Sequence, residues 1–312
     1  MEIAFWTMFN QITGLFALLL IGYYMNRTGM LPRETEQVLS RLVTQLLLPA
    51  LMLHTFMEEC TLENLQTYGI WIVYGAVFLG VSMVLAVVLS RIIAGKDVYL
   101  QGIYRYVLTF PNTGGVGTPV VLALFGTLGL FQYQLFQLFS SLATYSWGVA
   151  PMIPDAPAKK WTDHVRHFFN PAFTATLAGA VLGVTGISSH LPPVVPDTLE
   201  RIGGAYAVTS MLLVGFVLGD YRIKDMIRGK SAYLMSGLRL LVIPCAYLGL
   251  LYLLHAPQTL CVLTCLTYAC PCGMNTVVYP AAYGEDTKPG ASMILVSSAL
   301  SVLTIPCIYM LL

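Results

Sequence analysis

Charge is what this sequence most lacks. Only 10% of its 312 residues are Asp, Glu, Lys or Arg, against about a quarter in an ordinary soluble domain. With 57% of the residues hydrophobic, there are too few polar groups to coat a water-facing surface, so a polytopic protein of the lipid bilayer is expected. Runs of Lys or Arg are absent and the formal net charge is +1, which argues against nucleic acid as a partner. Cysteine is scarce outside apolar segments. Of seven, only Cys60 lies in a loop, so a disulfide framework is not expected and free thiols are the default. The N-terminal stretch "MEIAFWTMFNQITGLFALLLIGYYM" lacks a basic n-region and a small-residue cleavage site, and is expected to be a retained span rather than a signal peptide. Catalytic signatures are missing as well. Neither G-x-S-x-G nor H-E-x-x-H occurs, and no midspan His accompanies a Ser or Asp, which disfavours an intramembrane enzyme.

What is present is a series of long apolar runs. A helix of about 20 apolar residues crosses a bilayer, and ten such segments can be drawn: 5–25, 36–56, 67–90, 103–127, 131–152, 170–189, 197–219, 232–254, 258–283 and 289–312. Cations gather in the connections after odd-numbered spans, at Arg27, Arg33, Arg91, Lys96 and, at an edge, Arg105, then at Lys159, Lys160, Arg166, Arg222, Lys224, Arg228, Lys230 and Lys288. Connections after even-numbered spans hold almost none, and the first carries Glu58, Glu59 and Glu63 instead. The positive-inside rule then makes the odd loops cytoplasmic and puts both termini outside, in a multi-pass protein of the inner (plasma) membrane. The longest connection, "DAPAKKWTDHVRHFFNP", places Trp161, Val165, Phe168 and Phe169 on one helical face and charge on the other. It is expected to be a helix lying on the cytoplasmic surface. It divides the chain into a first five-span unit (1–152), an interfacial linker (153–169) and a second five-span unit (170–312).

Because five is odd, the two units enter the membrane from opposite sides, as in an inverted repeat. The fourth span of each is interrupted. One reads "VLTFPNTGGVGTPVVLALFG" and the other "LTYACPCGMNTVVYPAAYG", with Pro111 and Pro271 in matching places 160 residues apart and Pro119 and Pro280 following. Proline removes an N–H and crowds the preceding turn, and glycine weakens the helix further. Such a cluster at mid-depth is tolerable only where the unwound backbone is buried in protein or lines a cavity. The expected fold is therefore an all-α integral membrane protein of ten transmembrane helices, arranged as a 5+5 inverted repeat with two crossed, broken helices, spans 4 and 9. The half-helix N-termini at the crossing would form an anion-receptive spot without a buried Lys or Arg.

These residues resemble the auxin efflux carrier family of secondary transporters. "PNTGGVGTP" at 111–119 is similar to the family's P-N-T-x-x-x-G-x-P, and "PCGMNTVVYPAAYG" at 271–284 resembles the second crossover of bacterial members. "RLVTQLLLPALML" at 41–53 looks like the family's proline-bearing second span, and "NPAFTATLAGAVLGVTGI" at 170–187 like the start of its second half. The resemblance implies a scaffold domain and a transport domain, elevator-type alternating access, and homodimers formed through the scaffold. It also implies a small organic anion as substrate, a carboxylate such as malate or malonate or an auxin-like acid. The long central loop of the plant branch is missing, and Asn275 and Thr276 stand where that branch has a hydrophobic residue and a proline.

The expected substrate-binding positions are Asn112, Thr113, Gly114, Gly115, Cys272, Gly273, Met274 and Asn275. Asn112 has two compatible roles, capping the following half-helix and touching the substrate carboxylate, and Asn275 is its partner in the second half. Gly117 joins the glycines that allow close backbone approach, while Pro111, Pro119, Pro271 and Pro280 shape the crossover. Cys261, Cys265, Cys270 and Cys272 read as small apolar packing residues, so no metal and no cofactor is expected. His54 is expected near the outer surface in a hydrogen bond, and Tyr145, Ser146 and Trp147 are candidates for the cavity wall or core. Acids fall only at helix ends and in loops, which disfavours a midplane proton relay. Coupling to Na+ held on unwound carbonyls stays open beside potential-driven uniport. A sodium symporter of bile-acid type, the alternative with this architecture, would want a Glu near the second crossover, and none is there.

Overall fold

The computed structural model describes residues 2–148, 150–152 and 170–311, and over these the chain is helical. The surface helix expected within the 153–169 linker lies outside the described residues. Eleven helices organise the rest: α1 (Glu2–Arg27), α2 (Thr35–Glu59), α3 (Leu62–Ala94), α4 (Val98–Thr109), α5 (Thr113–Ala143), α6 (Pro171–Thr185), α7 (Val194–Leu218), α8 (Lys230–Leu253), α9 (Gln258–Ala269), α10 (Asn275–Ala282) and α11 (Lys288–Tyr309). Six of them, α2, α3, α5, α7, α8 and α11, are long and apolar enough to cross a membrane. The expected fourth and ninth spans each appear as two helices, α4 with the start of α5, and α9 with α10. Within α5 the chain turns at Gly126, whose φ of 65° lies in the left-handed region that glycine enters without strain.

Local chemistry marks the helix starts. Thr61, Asp97 and Asn170 accept the N–H groups of Asn64, Leu100 and Phe173 at 3.1, 2.9 and 2.9 Å, and so cap α3, α4 and α6. Pro171 follows the last of these caps at a position where its missing N–H costs nothing. Three π turns recur in one sequence setting. Val43–Leu47, Thr113–Gly117 and Leu238–Val242 each end two residues before a proline, Pro49, Pro119 and Pro244. A proline ring crowds the carbonyl one turn back, and widening that turn by one residue relieves the crowding.

The helices pack as two groups. In the first, α1 lies along α7, and α2 along α6 and α7; in the second, α3 packs on α4 and α5, and α8, α9 and α11 pack on one another. Glycines bring backbones into contact inside each group. A Cβ at Gly215 would stand 1.8 Å from the Leu19 carbonyl oxygen, and one at Gly22 would stand 2.1 Å from that of Leu212, which ties α1 to α7. In the second group the same holds for Gly75 against Phe136, at 1.9 Å, and for Gly290 against Thr276, at 2.2 Å. Without a hydrophobic drive in lipid, such close approach is what holds helices together. Val73, Val77, Val84, Val88 and Ile92 of α3 are each more than half exposed, an apolar face suited to lipid.

Candidate functional site

Both broken helices unwind at the proline cluster. After α4, Phe110 is extended at φ −110°, and after α9, Cys270 is extended at ψ 146°. The two extended pieces meet as an antiparallel bridge between Pro111 and Cys272. The Asn112 N–H donates to the Pro271 carbonyl at 2.8 Å, and the Cys272 N–H donates to Ser297 Oγ at 3.0 Å. Backbone groups freed by the breaks are thus paired with each other and with α11, which is how unwound chain survives at membrane depth. Pro111, Asn112, Pro271, Cys272 and Gly273 are buried, whereas Thr113, Gly115, Met274 and Asn275 are half-buried and Gly114 is exposed. The crossing is therefore closed on one side and open at the start of α5. Pro119 sits in the first turn after the π turn and Pro280 inside α10, both removed from the bridge.

Asn112 does what a residue before a half-helix should do. Its Oδ1 accepts the Gly115 N–H at 3.0 Å, and its carbonyl accepts the N–H groups of Val116 and Gly117, each at 3.0 Å. That arrangement leaves Nδ2, a donor, buried without a partner. A buried amide donor lacking an acceptor costs about 1–3 kcal/mol, and an arriving carboxylate would satisfy it. Gly115 is required here, because a Cβ would lie 2.6 Å from Asn112 Oδ1. Asn275 plays a different part. It is the first residue of α10 rather than its cap, and its Nδ2 donates to Tyr106 Oη of α4 at 2.7 Å, joining the second break to the first half-helix. Tyr206 of α7 donates to the Gly114 carbonyl at 2.6 Å, so the first helix group touches the open side of the crossing.

One residue beside the crossing is not among those expected there: Arg239, in the π turn of α8, is a buried cation with no exposed surface. Its Nη1 donates to the Leu108 carbonyl at 3.0 Å and its Nε to the Cys270 carbonyl at 3.3 Å, while Nη2 has no partner. The guanidinium also faces the Tyr268 ring at 5.6 Å from its centroid, a cation–π contact. Leu108 and Cys270 end the half-helices that run into the crossing, so one cation meets the negative ends of two helix dipoles. The signal was present in the sequence, a single Arg well inside the apolar run 232–254, where an ionisable side chain is functional by default.

The remaining candidates take lesser places. His54 is buried and pairs with Glu58 at 3.3 Å, one turn on in α2. Trp147 lies against Phe110, with ring centroids 6.1 Å apart, whereas the side chains of Tyr145 and Ser146 fall outside the described residues. Cys261, Cys265, Cys270 and Cys272 are free and buried, and no three His, Cys, Asp or Glu side chains converge among the described residues.

Six apolar helices long enough to span, together with two helix pairs that break and bridge through unwound backbone beside a buried cation, define a multi-pass membrane protein. Comparison with known proteins gives the family. Residues 7–309 match the membrane transport protein family. The chain belongs to that family, the auxin efflux carrier family named on its motifs above. It is similar to an uncharacterized transporter of Methanothermobacter thermautotrophicus, 24% identical over 298 residues that cover 95% of this chain and 96% of the relative. A second relative, an uncharacterized transporter of Methanocaldococcus jannaschii, is 24% identical over 295 residues, covering 92% and 93%.

Proposed function

We propose that this protein is a secondary active transporter of a small organic anion, a carboxylate, bound at the crossing of the two broken helices. The observation that carries the reading is the Asn112 amide, whose oxygen is consumed by the helix cap while its Nδ2 donor is buried without an acceptor. The N-termini of α5 and α10 start beside it and favour negative charge. Ten spans in a 5+5 inverted repeat supply the frame, supported by breaks at matching points of the two halves and by the pairing of Pro111 with Cys272. The charge of the loops supports termini outside the cell.

Movement is of the elevator type, with the group of α1, α2, α6 and α7 as scaffold and the group holding both breaks as the moving body. Support comes from the helix contacts. Among the described residues no glycine sets a helix of one group against the backbone of the other, and the contacts between groups run through side chains, such as Thr127 with Glu59 and Tyr206 with Gly114. Side-chain contacts can slide, whereas backbones locked by glycine move as one.

A thermal-shift screen of the purified protein against mono- and dicarboxylates, indole acetate and bile acids tests this, since a ligand of the native state raises the melting temperature by mass action. A carboxylate should stabilise wild type and not Asn112→Ala. Asn112→Asp keeps the capping oxygen while replacing the donor by an acceptor, so it should retain the fold and lose the response. If only neutral or cationic compounds shift the protein, or if Asn112→Ala responds like wild type, the anion site is not here.

A further inference from the structure

Arg239 raises a question that the anion reading alone does not answer. In carriers built on broken helices, unwound carbonyls and half-helix C-termini are where a coupling cation is held. Here the two carbonyls at those ends, Leu108 and Cys270, already accept hydrogen bonds from a single guanidinium, at 3.0 and 3.3 Å. An arginine does not give up its proton in a protein, so this charge is permanent. Among the described residues no Asp or Glu is buried, and the third nitrogen of the fork, Nη2, is buried with nothing to donate to. A buried ion without a counter-ion costs several kcal/mol. What the arrangement lacks is a negative charge, and what it has no need of is a second positive one.

We propose that Arg239 is a built-in cation that takes the place of a coupling Na+, so that carboxylate binding is independent of Na+ and the bound anion is balanced by the protein's own charge. The inference rests on the carboxylate reading for the balancing charge, but not for the replacement of Na+. A carrier with a permanent internal cation is charged when empty and neutral when loaded with a monocarboxylate. The loaded form therefore crosses the low-dielectric membrane more easily than the empty one. Two other features of the molecule lead less far. The polar pocket of about 550 Å³ at the ends of α1 and α7, lined by Asn26, Arg27, Arg33 and Asp220, is not connected to the crossing by any contact described above. The His54–Glu58 pair is complete in itself.

The test uses the full chain and needs no substrate in its first arm. Melting temperatures of wild type, Arg239→Ala and Arg239→Lys are compared in sodium chloride and in choline chloride at equal ionic strength. Wild type and Arg239→Lys should melt at the same temperature in both salts. Arg239→Ala should melt lower in choline and regain stability saturably with Na+, which occupies the vacated carbonyls. A guanidinium acting only as a structural strap would instead leave Arg239→Ala equally weakened in both salts, and that result would overturn the proposal. So would saturable Na+ stabilisation of wild type, which places a cation site elsewhere. Should Arg239→Ala not fold, Arg239→Gln, which keeps a hydrogen-bond donor without the charge, takes its place with the same expected and refuting results. In the second arm a carboxylate found by the screen is titrated in each salt. Its affinity for wild type should be the same in both, and in choline it should fall by about tenfold or more in Arg239→Ala. Loss of wild-type affinity in choline refutes the inference. If no carboxylate binds wild type in either salt, the anion reading and the balancing role fall together, while the first arm still judges the replacement of Na+.

Discussion

Gly117 and Gly114 sit three positions apart in the same π turn and face opposite demands. A Cβ on Gly117 would lie 2.1 Å from Tyr133 Oη and 3.1 Å from Cys270 Sγ, and Tyr133 is fully buried and cannot swing aside. Overpacking of that kind costs about 1–3 kcal/mol, so Gly117→Ala should lower the melting temperature by several degrees. A Cβ on Gly114 meets nothing nearer than Tyr206 Oη at 3.7 Å, so Gly114→Ala should fold like wild type yet weaken the carboxylate response, because its methyl group enters the open side of the break. Equal melting temperatures for the two variants would show that the crossing is not closed on the Gly117 side. At this scale the sequence is informative wherever a residue acts through its own neighbours. The cap at Asn112 is legible because Asn, then Gly at the third position on, is a local arrangement. Arg239 is hard to interpret because its partners lie 131 and 31 residues away, and a lone cation in an apolar run does not announce which carbonyls it will meet. The Asn275–Tyr106 hydrogen bond, 169 residues apart, is invisible for the same reason.

Among elements, the apolar runs make the helices legible, and the proline–glycine clusters mark where two of them break. The three π turns that end two residues before a proline are less so, although Pro49, Pro119 and Pro244 are plain in the sequence, because proline can be accommodated by a kink as well as by a widened turn. For α8 the difference bears on function. The π turn Leu238–Val242 carries Arg239, and Pro244 follows it. Pro244→Ala removes the crowding that favours the wide turn and restores a backbone N–H. The helix can then close to regular α geometry, which turns Arg239 by about 100° relative to the residues beyond it. The expected result is a protein at least as stable as wild type, with Arg239 displaced from the Leu108 and Cys270 carbonyls and a weaker response to carboxylate. Thermal melts with and without the ligand read both quantities. An unchanged ligand shift would mean that the turn holds its shape without the proline, through the carbonyl contacts of Arg239 alone.

For the whole molecule, the positions of close contacts say which parts can move. Within a group, backbones meet at glycines, and sliding one helix along another would drive a carbonyl into a chain. Between groups the contacts among the described residues each involve a side chain: Thr127 Oγ1 donates to Glu59 Oε1 at 2.7 Å, Tyr206 Oη donates to the Gly114 carbonyl at 2.6 Å, and the Phe56 and Phe131 rings meet edge to face at 5.2 Å. None of this is readable from composition or periodicity, because which helix faces which is decided by packing over the full chain. The loop charges report only sidedness. The elevator reading therefore makes a demand that differs between two pairs of positions. With Cys60, Cys245 and Cys307 replaced by serine, a short bifunctional thiol reagent joining Glu59→Cys to Thr127→Cys ties the two groups together. It should stop carboxylate flux in proteoliposomes while leaving the ligand-induced thermal shift in place, since the crossing itself is untouched. The same reagent joining Asn26→Cys to Asp220→Cys spans a 3.2 Å hydrogen bond inside the scaffold group, and flux should continue at the rate of the uncross-linked protein. Flux that survives the first link, or is lost with the second, would mean that the boundary between moving and fixed parts does not run between these helix groups, and that alternating access depends on a smaller rearrangement around the breaks themselves.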